Sequence, residues 1–475
     1  MDDLRDFIKR AEEMGECKVL EHADWDLEIG NITSWRSSIP NPPVLVFDNI
    51  KGYKKGYRVA TNLFATNRRT ALALGMPLEA SGIELVKSWQ AKIAKKMELI
   101  PPVEVATGPV KENIHLGDEV DLFEFPTPKW HELDGGRYIG TGCMVIMRDP
   151  DDGWLNFGTY RVQIHDKSIA TVYISPGKQG DLIRKKYWAK GKGCPVAVTC
   201  GQAPVLWAAS GAAVHWGVSE YEYAGWLINE PIEVTKGVVT DLPIPTSAEI
   251  VLEGEIVPPE VDTRVEGPFG EATGYYGSGA RPEPVFRVKG ILHRNNPILQ
   301  GNAPNIFHTY TLGTTIKRSA RLWTDLDQQI PGVKGVWNVD VCGSRAIIVI
   351  SLEQKYGGHA KQAALLAAGL ANTAYMWRWI IVVDEDIDPS NIAEVLWALA
   401  TRGDPESVDV IRGCWGTSLD PQLPPEKRAR GDLTHSGGII MACKPYHWMK
   451  EFPPSIKPGQ ELAEKTKAKW SKFFS

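Results

Sequence analysis

Leu4, Phe7, Ile8, Ala11 and Met14 recur at the spacing of one helix face, so the chain is predicted to open on an amphipathic helix. PPVLVFDNI (42–50) is an unbroken apolar run of strand length, and two helical patterns follow around 65–75 and 81–97. The Pro-rich segment Ile100 to Val103 then reads as a boundary. From Gly140 the texture changes. GTGCMVIMRD, NFGTYRVQIHD and ATVYIS alternate or run apolar over strand lengths, with polar turns between them. One helix is predicted over about 179–190, and another starts at Ser219, which Glu222 three residues on can complete as a capping box. EIVLEGEIV (249–257) and VFRVKGILHR (285–294) add further strands. Mostly antiparallel strands with few helices predict a barrel or a strongly curved sheet. TLGTTIKRSARLWTDLDQQI (311–330) reads as one connecting helix. Beyond it strands and helices alternate (RAIIVISLE, HAKQAALLAAGLANTAYMW, IIVVDED, NIAEVLWALATR), the pattern of a separate α/β sandwich. EKTKAKWSKFF would form a terminal helix able to dock on another subunit.

A chain of 475 residues has room for two or three such units. The expected division is an N-terminal α/β lobe over 1–110, the curved-sheet domain over 111–305, a connecting helix over 306–330 and a C-terminal α/β domain over 331–475. Hydrophobic content of 43% and charged content of 23% are those of a globular protein in water. A net charge of −5 argues against a nucleic-acid partner. The basic run Arg184-Lys185-Lys186 reads as a solvated helix face. No apolar stretch is long enough to span a membrane, and MDDLRDFIKR is acidic and amphipathic, unlike a secretory leader. The seven cysteines form no CxxC pair, so reduced thiols and a cytoplasmic location are expected.

The chemistry concentrates in VEGPFGEATGYYG (265–277), where Glu266 and Glu271 flank a Gly267-Pro268-Phe269-Gly270 turn. Two acids held close by a turn titrate apart, and the more desolvated one keeps its proton to higher pH. Alone, the stretch also reads as a hairpin with two solvated acids. Asn156 and Arg161 bracket NFGTYR, whose Gly158 and Thr159 would let the backbone approach a ligand. The loop Ser175-Pro176-Gly177-Lys178-Gln179-Gly180 leads into a helix, a ready anion site that Lys178 would reinforce. Glu220 stands in the first turn of SEYEYAGWL. A carboxylate, an amide oxygen and a phosphate together suit a hard divalent cation. A structural Arg–Glu pair would equally account for Arg161, and helix capping for Glu220. Seventeen tryptophans and NAPNIFHTYTLG (302–313) suggest an aromatic pocket in which His308 could meet a phenol, although a structural histidine explains it as well. His131, His215 and His435 have no ranking context. The acidic cluster Asp384-Glu385-Asp386-Asp388 ends a strand before a helix and reads as structural.

NFGTYR, SEYEYAG, EIVLEGEI, EGPFGEATGYY, RNNPI, VVDEDIDP and LWALATR stand in the order and spacing of the UbiD-like decarboxylases, which act with prenylated FMN. The resemblance runs from about residue 110 to at least 405. It implies an α/β (α+β) protein in which a split β-barrel flavin-binding domain is flanked by an N-terminal lobe and a C-terminal oligomerisation domain. By the same resemblance Asn156 and Glu220 would bind a divalent metal, Mn²⁺ or Mg²⁺, that bridges to the flavin phosphate. Thr159, Tyr160 and Arg161 would line the flavin, with Val172, Tyr173, Ile174, Lys178 and Gln179 on its other side, and K⁺ would sit nearby. Arg161, Glu266 and Glu271 match the family's Arg–Glu–Glu triad, with Glu271 as proton donor. The chain departs from the pattern twice. Gln179 stands where many members carry a metal-binding His, and Gly437-Gly438 is followed by Ile439 where some carry a cofactor-binding Lys.

The implied activity is reversible non-oxidative decarboxylation of an aromatic, hydroxylated or heteroaromatic acid. The cofactor would come from a flavin prenyltransferase, and the assembly would be a homodimer or larger. Two rivals remain: a carboxylase acting on a phenol or activated arene, and a non-catalytic flavin-binding subunit of a larger complex.

Overall fold

Two residues, Thr159 and Tyr160, reveal how the central sheet must close. In a computed structural model describing residues 3–212, 214–277, 279–306 and 312–473, eight strands form an antiparallel path. Their spatial order is 137–140, 161–164, 169–173, 281–293, 250–256, 194–200, 143–148 and 155–158. Strands Leu155–Gly158 and Arg161–Ile164 are thus six places apart in the path. In a flat sheet that is about 29 Å at ~4.8 Å per strand, whereas a two-residue link spans at most about 11 Å. The sheet therefore curls until its ends approach. Thr141 and Gly142, which join strands Arg137–Gly140 and Cys143–Arg148, impose the same closure. A register shift between Glu253 and Gly254, where 250–256 pairs with 281–293, adds curvature. The two end strands do not pair among the described residues, so the barrel is split, as the family resemblance implies.

Inside the curl, Val162, Val172, Val198, Leu252, Phe286 and Ile291 form one core. The strands that supply them carry residues that branch at Cβ or are aromatic, suited to a pleated surface buried on one face. The first helix spans Leu4–Glu13, is capped by Asp3, and buries Leu4, Phe7 and Ala11. Its lobe is built on a four-stranded sheet ordered 17–21, 44–48, 58–61 and 298–300. The last of these strands comes from beyond the barrel and pairs in parallel with Arg58–Thr61. Two helices here escape the apolar periodicity, Glu28–Ser37 and Pro204–Ser210.

The connecting helix spans Leu312–Asp327 and packs on Gly82–Ile93 and on the first strand of the C-terminal sheet. That sheet is ordered 333–338, 347–352, 379–384, 435–442 and 409–414. At its edge Arg402 binds both Asp384 (2.8 Å) and Asp386 (2.7 Å), and Asp388 accepts from the Ser390 backbone (2.9 Å). The acidic cluster is structural. The terminal helix spans Gln460–Trp470. Among the described residues no helix is long and apolar enough to cross a membrane. One expectation fails: Arg184 is not solvated but buried, held by Asp181 at 2.9 and 3.1 Å.

Candidate active site

Strand Thr263–Glu266 ends on the first glutamate of the acidic turn. The chain then bends through Gly267, at φ +83°, and a cis Gly267–Pro268 bond. Neighbouring loops clamp the bend. Gly135 N donates to Pro268 O (2.8 Å), Gly267 N to Gln163 Oε1 (3.0 Å) and Gly270 N to Asp134 Oδ1 (3.0 Å). A Cβ at Gly135 would lie 2.0 Å from the Gly267 carbonyl oxygen, and one at Gly270 would lie 2.6 Å from the His131 ring. The turn thus holds two carboxylates in one fixed relation.

Both carboxylates meet Arg161. Its Nε and Nη2 donate to the two oxygens of Glu266 at 2.7 and 2.8 Å, and its Nη1 donates to Glu271 Oε1. Glu266 is fully buried, whereas the Glu271 side chain keeps 11% of its surface exposed. Tyr138 OH lies within 3.1 Å of both Glu266 Oε1 and Gln163 Oε1. The Arg161 guanidinium lies 4.3 Å from the Tyr173 ring centre and 5.2 Å from that of Phe269. Burial opposes the Arg161 charge, but its hydrogen bonds to Glu266 and the charges of both glutamates offset it and raise its pKa. Burial likewise raises the Tyr138 pKa, so its hydroxyl remains a proton donor. Arg161 thus grips one carboxylate at both oxygens and the other, slightly more exposed one at one oxygen.

Five residues before Arg161, Asn156 Nδ2 donates to Gln179 Oε1 (3.0 Å) and to Glu220 Oε1 (2.8 Å). The Phe157 backbone N–H donates to Glu220 Oε2 (2.9 Å). Glu220 is buried with no cationic side chain paired to it among the described residues, and burial lifts its pKa to about 7. Asn156 Oδ1 is buried without a hydrogen-bond partner. An anion lacking a countercharge, an orphaned amide oxygen and a second amide oxygen form a donor set of hard oxygens that fits a divalent cation.

A second imbalance adjoins this set. Lys178 immediately precedes the helix Gln179–Ala189, and its pKa is lowered by burial and by Arg345 and Arg318. Burial and Arg345 push Arg318 down to about 9, and burial pushes Lys317 down to about 8. Arg318 Nε is buried without a partner, Arg345 lies against Tyr375, and Lys317 Nζ donates to Ala208 O (2.8 Å). No carboxylate pairs with any of the four among the described residues. Cations that depress one another mark a place for an anion, and a phosphate suits it. Lys317, Arg318 and Arg345 escaped the sequence reading, which singled out Lys178 alone. The basic pair in TIKRSAR was a visible signal, but nothing in the sequence indicated its facing residues. At the Gly437-Gly438-Ile439 departure, Ile439 is fully buried, an environment that suits an apolar side chain rather than a lysine.

Thr159 Oγ1 lies 2.7 Å from Ser210 Oγ, and Tyr160 OH accepts from Gly180 N at 3.3 Å. Tyr173 pairs in register with Arg161 and turns its ring to the guanidinium. Val172 and Ile174 alternate away and bury their side chains in the barrel core, so only their backbone lies on the Arg161 side. His131 bonds Pro304 O (2.7 Å) and His435 bonds Trp377 O (2.6 Å). His308 lies outside the described residues.

Known proteins resemble this chain over nearly its whole length. Family models for the N-terminal, Rift-related and C-terminal domains of 3-octaprenyl-4-hydroxybenzoate carboxy-lyase match residues 8–89, 102–305 and 311–443. The chain is 33% identical over 464 residues to pyrrole-2-carboxylic acid decarboxylase of Pseudomonas aeruginosa, covering 93% of this chain and 90% of that one. The structure of the UbiD-class enzyme HmfF from Pelotomaculum thermopropionicum in complex with FMN superposes with a TM-score of 0.85 at 30% identity, over 97% of this chain and 99% of that one. The open form of Sedimentibacter hydroxybenzoicus vanillic acid decarboxylase gives 0.86 at 29% identity, over 100% of both chains. With all three domains matched in order around one buried Arg–Glu–Glu cluster, the chain belongs to the UbiD family of prenylated-FMN-dependent carboxy-lyases.

Proposed function

We propose that this protein catalyses the reversible, non-oxidative decarboxylation of an aromatic carboxylic acid with prenylated FMN, Glu271 acting as proton donor. The observation that carries the reading is the contact of Arg161 with both Glu266 and Glu271 on a loop clamped by Gly135 and Gly270. Decarboxylation at an sp² carbon leaves charge that no side chain disperses, and prenylated FMN supplies that electron sink when bound. Asn156, Gln179 and Glu220 would hold Mn²⁺ or Mg²⁺, and Lys178, Lys317, Arg318 and Arg345 would neutralise the phosphate.

The chain's own share is orientation and one proton. Arg161, fixed by Glu266 and lying against Tyr173 and Phe269, keeps the Glu271 carboxyl at the rim of the site. The Glu271 carboxyl gives its proton to the carbon that CO₂ has left, and bulk water replaces it through the exposed edge. In carboxylation the same group removes the ring proton. K⁺ beside the metal, a flavin prenyltransferase as cofactor source, a homo-oligomer and a cytoplasmic location complete the proposal. Hydroxylated and heteroaromatic acids are the substrate class to screen first.

The test is co-expression with a flavin prenyltransferase, followed by an absorbance spectrum and a screen of aromatic acids for CO₂ loss. Turnover by the loaded chain alone is the expected result. A loaded chain that releases no CO₂ from any acid, and incorporates no bicarbonate into a phenol, would favour the non-catalytic flavin-binding subunit.

A further inference from the structure

His115, Glu124 and His293 converge at a place that shares no residue with the flavin site. The edge strand Asn113–Leu116 pairs antiparallel with Arg281–His293, setting His115 opposite Ile291. His293 lies two residues beyond Ile291 and so projects from the same face of the sheet as His115. Glu124 ends the short turn Leu122–Glu124, which Asp121 caps by accepting from Phe123 N (2.9 Å). His115 Nδ1 lies 3.1 Å from Glu124 Oε2, and His293 Nε2 lies 3.7 Å from Glu124 Oε1. The two rings meet edge to face at 5.3 Å, and the three donor atoms all fall within 4.8 Å of one another.

The hydrogen bonds identify the tautomer of His293. Its Nδ1 lies 2.9 Å from Arg294 O, which only accepts, so Nδ1 carries the proton and Nε2 carries the lone pair. His293 is 3% exposed, and its Nε2 is buried without a hydrogen-bond partner. A lone pair thus faces a carboxylate oxygen across a gap wider than a hydrogen bond. An ordinary His115–Glu124 ion pair leaves that arrangement unexplained, because it gives His293 no reason to aim its lone pair at an anion. A cation between them turns the repulsion into coordination.

We propose that His115, Glu124 and His293 bind a structural divalent transition-metal ion, of which Zn²⁺ is the best match. Two imidazoles and a carboxylate suit a borderline ion, whereas the oxygen set at Asn156, Gln179 and Glu220 suits a harder one. Ligands about 2.0–2.1 Å from a tetrahedral zinc stand about 3.3 Å apart, and the observed 3.1 and 3.7 Å bracket that spacing. The outer layer is that of a metal site: the Arg294 carbonyl holds the far nitrogen of His293, and Tyr57 OH donates to Glu124 Oε1 at 2.9 Å. The His115 and Glu124 side chains are 29% and 26% exposed, so water can complete the coordination. The ion would tie strand 113–116 and the turn 122–124 to the barrel, and through Tyr57 to the N-terminal lobe.

The test uses the full chain, stripped with a chelator and titrated with ZnCl₂, with bound metal counted by elemental analysis and affinity read by calorimetry. Glu220→Gln serves as the background that disables the oxygen set. In that background one zinc equivalent should still bind and raise the melting temperature. His115→Ala or Glu124→Gln in the same background should weaken zinc binding by at least about 100-fold and abolish the thermal shift. Both residues are partly exposed, so these variants keep the fold, which their melting without zinc verifies. Equal zinc binding with and without His115 and Glu124, or no zinc equivalent in the Glu220→Gln background, overturns the proposal.

Discussion

Replacing Glu266 and Glu271 one at a time by glutamine should separate stability from chemistry. Glu266 is fully buried and accepts two hydrogen bonds from Arg161, itself only 8% exposed at its side chain. A glutamine there turns one acceptor into a donor facing the guanidinium and leaves a buried charge short of its partner. Breaking a buried pair in this way costs about 3–5 kcal/mol. For a unit of roughly 200 residues that lowers Tm by about 10 °C. Glu271 accepts one bond from Arg161 and sits at the rim. The bond it accepts from Arg161 is one charge-assisted hydrogen bond, about 1.5–3 kcal/mol and less with solvent at hand, against the two-point pairing of Glu266.

Activity should rank the two differently. With the proton donor gone, Glu271→Gln should lose a factor of about 10²–10⁴ in CO₂ release, the usual contribution of a positioned acid. Exchange of the product's ring hydrogen for deuterium should fall equally, because it uses the same proton path. The assays are thermal unfolding of both variants without cofactor, then CO₂ release and exchange followed by NMR on the loaded enzymes. Wild-type exchange in Glu271→Gln refutes the proton assignment. Equal melting of the two variants refutes the structural ranking.

Gly135→Ala should keep the circular dichroism spectrum but lower turnover by about 100-fold, since its Cβ would sit 2.0 Å from Gly267 O and must displace the acidic turn; unchanged turnover would mean the turn is not what sets the geometry. Arg318→Ala and Arg345→Ala should each weaken FMN binding by about 10–100-fold in a fluorescence titration, with riboflavin unaffected, and an equal loss for riboflavin would place both residues elsewhere than at the phosphate. Asn156→Ala should remove the manganese equivalent found by elemental analysis, and retention of that equivalent would exclude the oxygen set as its ligand. Burial holds Asp340 at about 7, above the roughly 3.9 of an unfolded Asp, so the folded state binds this proton more tightly. Its stabilisation is complete below the unfolded value and is lost, up to about 4 kcal/mol, as pH rises through 7; Asp340→Asn should flatten the fall of Tm between pH 5 and 8, and an unchanged slope would refute the linkage.

Much of this architecture was readable because the physical signals are local. Leu4, Phe7 and Ala11 share a helix face whatever surrounds them, and Ser219 with Glu222 caps a helix by its own chemistry. Asn156 and Arg161 lie in one six-residue stretch, and Glu266 and Glu271 in another, so each half of the site was visible by itself. What was hidden depends on pairing between distant segments. Arg184 looked like part of a solvated basic run, yet Asp181 draws it inward while Lys186 goes to Asp149. Helix Glu28–Ser37 buries Ile29, Gly30, Thr33 and Ser37, a face with a single large apolar residue and hence no apolar period to detect. Arg318 and Arg345 lie on the connecting helix and beyond it, and only the packing of that helix beside the barrel brings them towards Lys178.

The curl of the sheet makes these separate pieces one site. Asn156 lies on the last strand of the path and Arg161 on the second, so a flat sheet would keep the oxygen set and the triad on opposite flanks. Closure leaves only four residues between them, and three of those are anchored. The Gly158 and Gly180 backbones close on the Tyr160 ring, where a Cβ on either would approach it to 2.9 or 3.0 Å. Cys143 Sγ lies 3.0 Å from Tyr160 O, and Thr159 is held through Ser210. A short anchored link is stiff, so whatever the oxygen set grips is placed at a fixed offset from Arg161, with little freedom left to lose on binding. Preorganisation then resides in the barrel seam. The C-terminal side contributes charge through Arg318 and Arg345, and it meets the far end of the acidic stretch, where Arg428 Nη1 donates to Gly277 O (2.6 Å).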